Sequence, residues 1–299
     1  MVNLDMSWRQ GGLLAGALFV AAALAGRSGR ARLVASAPAV REAGVIAALF
    51  TLWQWVGALA LTRSAGAVER GHAIVRAERR WLPLPAESTV QQLITPHPWL
   101  TQACNLFYAT AHVTALLVLL VWLFWRRREH YARVRTTLVL VTAGCLLVAL
   151  LPVAPPRLLP RSGFVDTAAQ YGQSVYAALD TLSADQLSPN QLSAMPSVHV
   201  AWALLVAVGV ITAGVSRWRW LVLAHPAVTV FVVVATANHY WLDGIVAAGV
   251  LALAMAVQWA GRRLIRRGRR TARQLPPAAQ ATIPGQGPTP SETVARVTE

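Results

Sequence analysis

Long apolar runs constrain this chain more than any other feature. The candidates are Gly11–Ala25, Ala43–Thr62, Leu100–Trp125, Thr136–Pro152, His199–Val215, Trp218–Ala237 and Tyr240–Gly261. In hydrocarbon every backbone N–H and C=O must be bonded within its own segment, so a helix of roughly 17–25 apolar residues is the unit that crosses a bilayer. The runs predict an all-α fold, a polytopic membrane helical bundle of six or seven transmembrane helices, with Gly11–Ala25 the shortest. Composition agrees, since only 13% of the residues are charged where a soluble domain carries about 25%.

The formal net charge is +15, and the 27 basic residues are all arginine. Such a charge raises nucleic-acid binding as a possibility, but the arginines cluster beside the apolar runs. Arg27, Arg30, Arg32 and Arg41 form one group, and Arg126, Arg127, Arg128, Arg133 and Arg135 another. Arg217 and Arg219 follow, then a dense run from Arg262 to Arg273. Arginine beside alternate spans marks the cytoplasmic side, so membrane topology accounts for the charge and no nucleic-acid partner is expected. The connections 63–99, 154–198 and 238–240 then face outward.

The segment 63–99 carries its own arginines, accompanied by Glu69, Glu78 and Glu87. Val68, Val75 and Leu82 recur at helical intervals with Trp81 as an anchor, which predicts an amphipathic interfacial helix ended by Pro83 and Pro85. The N-terminal run resembles the apolar part of a signal peptide, without an evident small-residue cleavage site, and is expected to be retained. Three regions follow: 1–42, an N-terminal span and cytoplasmic linker; 43–261, the membrane-embedded domain; and 262–299, basic and then disordered from about 274. Cys104 and Cys145 fall inside predicted spans, so no disulfide framework is expected.

Two stretches at the outward ends of spans carry ionisable groups, which at membrane depth are functional by default. In "ANHYWLDGIV", His239 and Asp243 share a helix face. A carboxylate beside a histidine fixes its tautomer, leaving the other ring nitrogen free to attack or to take a proton. In "SAMPSVHVAW", Pro196 and Ser197 suit a helix start, where a hydroxyl and unbonded N–H groups favour an anion, and His199 projects from the first turn. In "VAPPRLLPRSGFVD", prolines hold Arg157 near the interface; arginine recognises phosphate bidentately, though one alone also fits a snorkelling side chain. A polar stripe within "NLFYATAH", Asn105, Tyr108 and His112, must face protein or a wet cavity. It either contacts a polar headgroup or bonds a neighbouring helix.

Arg157, then Pro196-Ser197-x-His199, then His239-x3-Asp243 resembles, in order and placement, the type 2 phosphatidic acid phosphatase superfamily over residues 136–261. The family pattern is Lys-x6-Arg-Pro, Pro-Ser-Gly-His and Ser-Arg-x5-His-x3-Asp. Here Leu150 stands where the first Lys would fall, Val198 replaces Gly, and Val233 stands in place of the third motif's Arg. Those departures, with "PPRLLP…GFVDT" and the Asn105/Tyr108/His112 stripe, look more like the inositolphosphotransferase-like branch, relatives of inositol phosphorylceramide synthase, over roughly residues 40–261. The resemblance implies a membrane enzyme, with a lipid phosphate or phospholipid headgroup as substrate, and the arginine topology places its site on the external face of the cell membrane. It implies His239 as nucleophile oriented by Asp243, His199 as the proton carrier, and Arg157 with Ser197 on the phosphate oxygens. It implies no cofactor, and one aspartate is too few oxygen ligands for a typical magnesium site.

Three other readings compete. Hydrolysis of a lipid phosphate uses the same residues, with water as acceptor. A haem-bearing bundle would use His112, His199 and His239 as ligands. A non-catalytic lipid transporter would need none of them for chemistry.

Overall fold

The computed structural model describes residues 7–61, 65–160, 162–173, 192 and 194–274. The chain divides into two compact units, Met1–Ala256 and Val257–Glu299. Ten α-helices are described: α1 Trp8–Arg27, α2 Ala31–Leu61, α3 Ala67–Trp81, α4 Glu87–Gln92, α5 Pro98–Arg126, α6 Arg128–Ala149, α7 Thr167–Gln170, α8 Val198–Ala213, α9 Ala224–Ala235 and α10 Trp241–Gln274. Six helical stretches are long and apolar enough to cross a membrane, and the 16-residue α8 is a shorter apolar helix. The chain is a multi-pass helical bundle. The reading of 274–299 as a disordered tail concerns residues that, beyond Gln274, lie outside those described, as do most of the residues between α7 and α8.

α1 and α2 form a helical hairpin. Ser7 and Gln10 close a capping box at the start of α1, each side chain satisfying the other's backbone N–H. Small residues let the two helices approach: a Cβ on Gly11 would lie 2.6 Å from Thr51 Oγ1, and one on Gly44 would lie 3.1 Å from Phe19. α2 begins at Ala31 rather than Ala43. The stretch expected to be a linker is rich in alanine, the best helix former, and the helix runs on through Pro38.

α8 is the centre of the first unit and packs on α5, α6 and α9. Val200, Ala201, Ala203, Leu205, Val206 and Ala207 are all buried, so α8 is apolar around its circumference, as a helix enclosed by others must be. Gly209 takes Leu119 of α5 against its backbone, where a Cβ would meet Leu119 Cδ2 at 2.8 Å. α8 ends at Gly214, whose carbonyl accepts from Arg219 Nη1 at 2.7 Å. The predicted span Trp218–Ala237 is two elements, a 3-10 helix Arg217–Leu223 and then α9. Pro226 lacks the N–H that would carry an α-helical ladder across that junction.

At the arginine end, Glu42 of α2 accepts from Tyr131 at 3.2 Å and also pairs with Arg135, both on α6. The opposite end holds the starts of α5, α8 and α10 and the ends of α6 and α9, and there α3 is laid across the structure. α3 stops at Trp81, ahead of Pro83, as its sequence predicts. Its most buried residues are Ala67, Gly71, Ile74 and Glu78, and Val68 and Val75 of the predicted stripe pack half-buried beside them. It packs with Val153, Ala154, Leu159, Ala194 and Tyr240.

Candidate functional site

The site is built where three chain breaks in the helical bundle meet. The first follows α6. Prolines 152, 155 and 156 stop the helix, and a 3-10 turn, Pro156–Leu158, carries Arg157. Its backbone N–H donates to Ala237 O at 3.0 Å, joining it to the turn after α9. The Arg157 side chain is buried. Nε donates to Asn238 Oδ1 at 2.8 Å and Nη1 to Asp166 Oδ2 at 2.7 Å. Asp166 in turn caps α7 by accepting from Ala169 N–H.

The second break precedes α8. Ser197 is its N-cap, with Oγ accepting from Val200 N–H at 3.3 Å, and His199 stands in the first turn. The third lies between α9 and α10. Ala237 takes a left-handed conformation, φ 53°, uncommon for a residue with a Cβ and of the kind held only where the surroundings determine it. That turn delivers Asn238 and His239 to the head of α10.

His239 and Asp243 form the best-defined pair. His239 Nδ1 lies 2.7 Å from Ala194 O and 3.2 Å from Asp243 Oδ2. A carbonyl can only accept, so Nδ1 carries the hydrogen and Nε2 holds the lone pair. Nε2 is buried and makes no hydrogen bond to any described residue. Asp243 is wholly buried, and its Oδ2 also accepts from Tyr240 N–H at 2.9 Å. It stands at the third position of α10, so one carboxylate caps the helix start and orients the histidine. Ser197 N–H donates to Asp243 O at 3.2 Å, which ties the head of α8 to that of α10. Tyr240 donates its hydroxyl to Ala154 O at 2.7 Å, and burial pushes that phenol well above its ordinary range.

His199 lies across from this pair, with ring centroids 5.6 Å apart. Tyr108 stacks on it at 4.1 Å and 21°, and His112 lies against it at 4.1 Å and 57°. Two of the three stripe residues on α5 therefore frame His199. The third does something else. Asn105 Nδ2 donates to Thr167 O and Gln173 Oε1, and its Oδ1 accepts from Thr167 Oγ1 at 2.9 Å. Asn105 thus bonds a neighbouring element, α7 and the residues after it.

The structure brings His239, Asp243, Ser197, His199, Tyr108 and His112 together, and connects Arg157 to them through Asn238. The positions that differ from the family pattern are apolar here. Val233 is buried in the core, Val198 opens α8 and Leu150 ends α6. Sequence reasoning did not single out Ala194, Asn238, Asp166 or Thr167. A backbone carbonyl such as Ala194 O leaves no residue-type signal, whereas Asn238 and Asp166 sit beside motifs already noticed. Gln91 was also missed; its side-chain amide pairs with both backbone groups of Val165. Among the described residues no cluster of three or more His, Cys, Asp or Glu is placed to hold a metal ion.

Neither the comparison with curated proteins nor that with solved structures gives a match. The family model described as the PAP2 superfamily matches residues 72–257, a stretch that runs from α3 into α10 and includes every residue of the site. Members of that superfamily are phosphatases or phosphotransferases. The chain belongs to the PAP2 superfamily.

Proposed function

We propose that this protein transfers a phosphoryl group from a lipid phosphate or phospholipid headgroup to an acceptor alcohol, in the manner of the inositolphosphotransferase-like branch, through a phosphohistidine at His239. The observation that carries the reading is the tautomer of His239. With Nδ1–H committed to Ala194 O and Asp243, the lone pair sits on Nε2, the form a nucleophile needs.

Nε2 attacks phosphorus and forms a P–N bond as the P–O bond to the leaving group breaks. His199 gives its proton to the departing oxygen. The imidazole then carries positive charge, which the buried Asp243 stabilises. In the second half, His199 takes the proton of the acceptor hydroxyl, the new P–O bond forms and the P–N bond breaks, which restores neutral His239. Ser197 accepts from Val200 through Oγ and keeps its own proton to donate to a phosphoryl oxygen. Arg157 supplies positive charge beside Asn238, with Tyr108 and His112 bounding the headgroup side of His199. No metal enters any step, and the site faces outward from the cell membrane.

Hydrolysis is the alternative that the same residues permit. The burial of Ser197, His239 and Asp243 supports an alcohol acceptor, because a closed site limits competing attack by water. The test is mass spectrometry of products from purified protein given phosphatidylinositol, phosphatidic acid and isoprenyl phosphates, with and without an added alcohol. A new phosphodiester supports the transferase, free phosphate alone supports the phosphatase, and no turnover of any of them refutes both.

A further inference from the structure

Glu78 of α3 and Glu87 at the head of α4 are buried together over the first turn of α10, only 6% and 5% exposed. Glu78 Oε1 accepts from Leu242 N–H at 2.6 Å. Leu242 is in the first turn of α10, where a helix leaves its N–H groups without internal partners. Its neighbours complete the arrangement: Tyr240 N–H goes to Asp243, and Asp243 goes on to His239. Two carboxyl groups therefore hold this turn, one from inside α10 and one from α3.

Glu78 Oε2 and Glu87 Oε1 meet no donor among the described residues, yet the two side chains are within hydrogen-bonding reach of each other. Carboxylates so placed cannot both stay ionised; a proton on one lets it donate to the other. The titratable groups that bear on the pair are Tyr240 at the head of α10 and Asp243 in its first turn. Both are acidic, so neither offsets a second negative charge. Burial, and then the hydrogen bond with Glu87, pushes the Glu78 carboxyl up to about 9.

We propose that Glu78, sharing one proton with Glu87, is a positioning residue that pins the first turn of α10 and so sets the aim of Asp243 on His239. The kinetic part of this inference rests on the phosphoryl-transfer reading above; the shared proton does not. Glu78→Gln keeps an acceptor for Leu242 and a donor for Glu87, whereas Glu78→Ala keeps neither.

The first measurement is thermal unfolding in detergent across pH, which needs no substrate. An acid raised in the folded state contributes stability that is full below its unfolded value of 4.5 and is lost as pH rises to about 9. The unfolding temperature of Glu78→Gln minus that of wild type should therefore climb between these limits and level off above them. Parallel curves would overturn the shared proton, and Glu87→Gln provides the same comparison from the partner's side. The second measurement is kinetic. Glu78→Ala should lower kcat about 10–100-fold through misplacement of His239, with KM changed far less and Glu78→Gln restored to near wild type at neutral pH. An unchanged kcat in Glu78→Ala, or a Glu78→Gln as impaired as Ala, would overturn the positioning role. Should wild type show no turnover and no phosphohistidine, the functional reading fails, while the unfolding curves still decide the carboxyl pair.

Discussion

His199 and His239 differ in what the structure provides around them, and the difference predicts separable defects. On the proposed mechanism His239→Ala removes the lone pair that meets phosphorus and should abolish turnover of every substrate. His199→Ala removes a proton carrier worth about 10²–10⁴-fold. A nitrophenyl phosphate leaves without protonation, so the first half-reaction should survive in that variant and the phosphoenzyme should accumulate. Acid-labile, alkali-stable label should be found on His239 in His199→Ala and be absent from the double variant; label elsewhere would reassign the nucleophile. Asp243→Asn keeps the size of the carboxylate but loses its charge, and should cost about 10²–10⁴-fold in kcat. The proposed reaction needs one histidine neutral and the other protonated, so kcat/KM should fall at both low and high pH, and a profile with one limb would contradict the pairing. At this scale the side chains of the site were legible, because ionisable residues are conspicuous at the ends of apolar runs. The contacts that aim them were not: Ala194 O is a backbone carbonyl 45 residues from His239, and Glu78 reads in sequence as one more surface acid on a polar helix.

Among the elements, α3 has limits that its sequence sets, and Val68 and Val75 of its predicted stripe pack on the core, while Gly71 and Glu78 on its buried face carry no apolar signal. Its limits follow from Gly66, Pro83 and the spacing between them, since local chemistry sets where helices end. Which face it buries is a tertiary matter. Gly71 lies on that face, and a Cβ there would come within 2.8 Å of the Tyr240 hydroxyl and 2.9 Å of Ala154 O. Gly71→Ala should therefore lift α3 and lower stability by about 1–3 kcal/mol, seen as a lower unfolding temperature in detergent together with reduced kcat. Gly16 on α1 has nothing within 4 Å of a built Cβ, so Gly16→Ala should leave both unchanged or slightly raise stability. Equal effects at the two positions would mean that α3 does not pack as described. α8 shows the reverse limit of sequence reading. Its apolar run predicts a span, yet at 16 residues it is shorter than the six helices long enough to cross a membrane, and it lies enclosed by α5, α6 and α9.

For the whole molecule, the bundle and its arginine distribution were apparent from apolar period and charge alone, since bilayer thickness and the positive-inside bias act on composition. The side on which the site opens rests on that bias and is open to direct measurement. Gln170→Cys, in an exposed position after Arg157, should react with an impermeant thiol reagent in intact cells, whereas Glu129→Cys, in the first turn of α6 beside the arginines, should react only after permeabilisation. Cys104 and Cys145 are buried and should give little background. Labelling in the opposite order would invert the topology. The contact between Ala194 and His239 also bears on how the protein is made. The carbonyl that fixes the tautomer of His239 belongs to Ala194, which is synthesised well before it, and the carboxylate that completes the pair comes later still, at Asp243. Segments emerging from the ribosome N-terminus first would thus insert α5, α6 and α8 ahead of the proposed nucleophile. On the proposed mechanism reactivity would arise only once α10 is in place, so a truncated or stalled chain should be chemically silent.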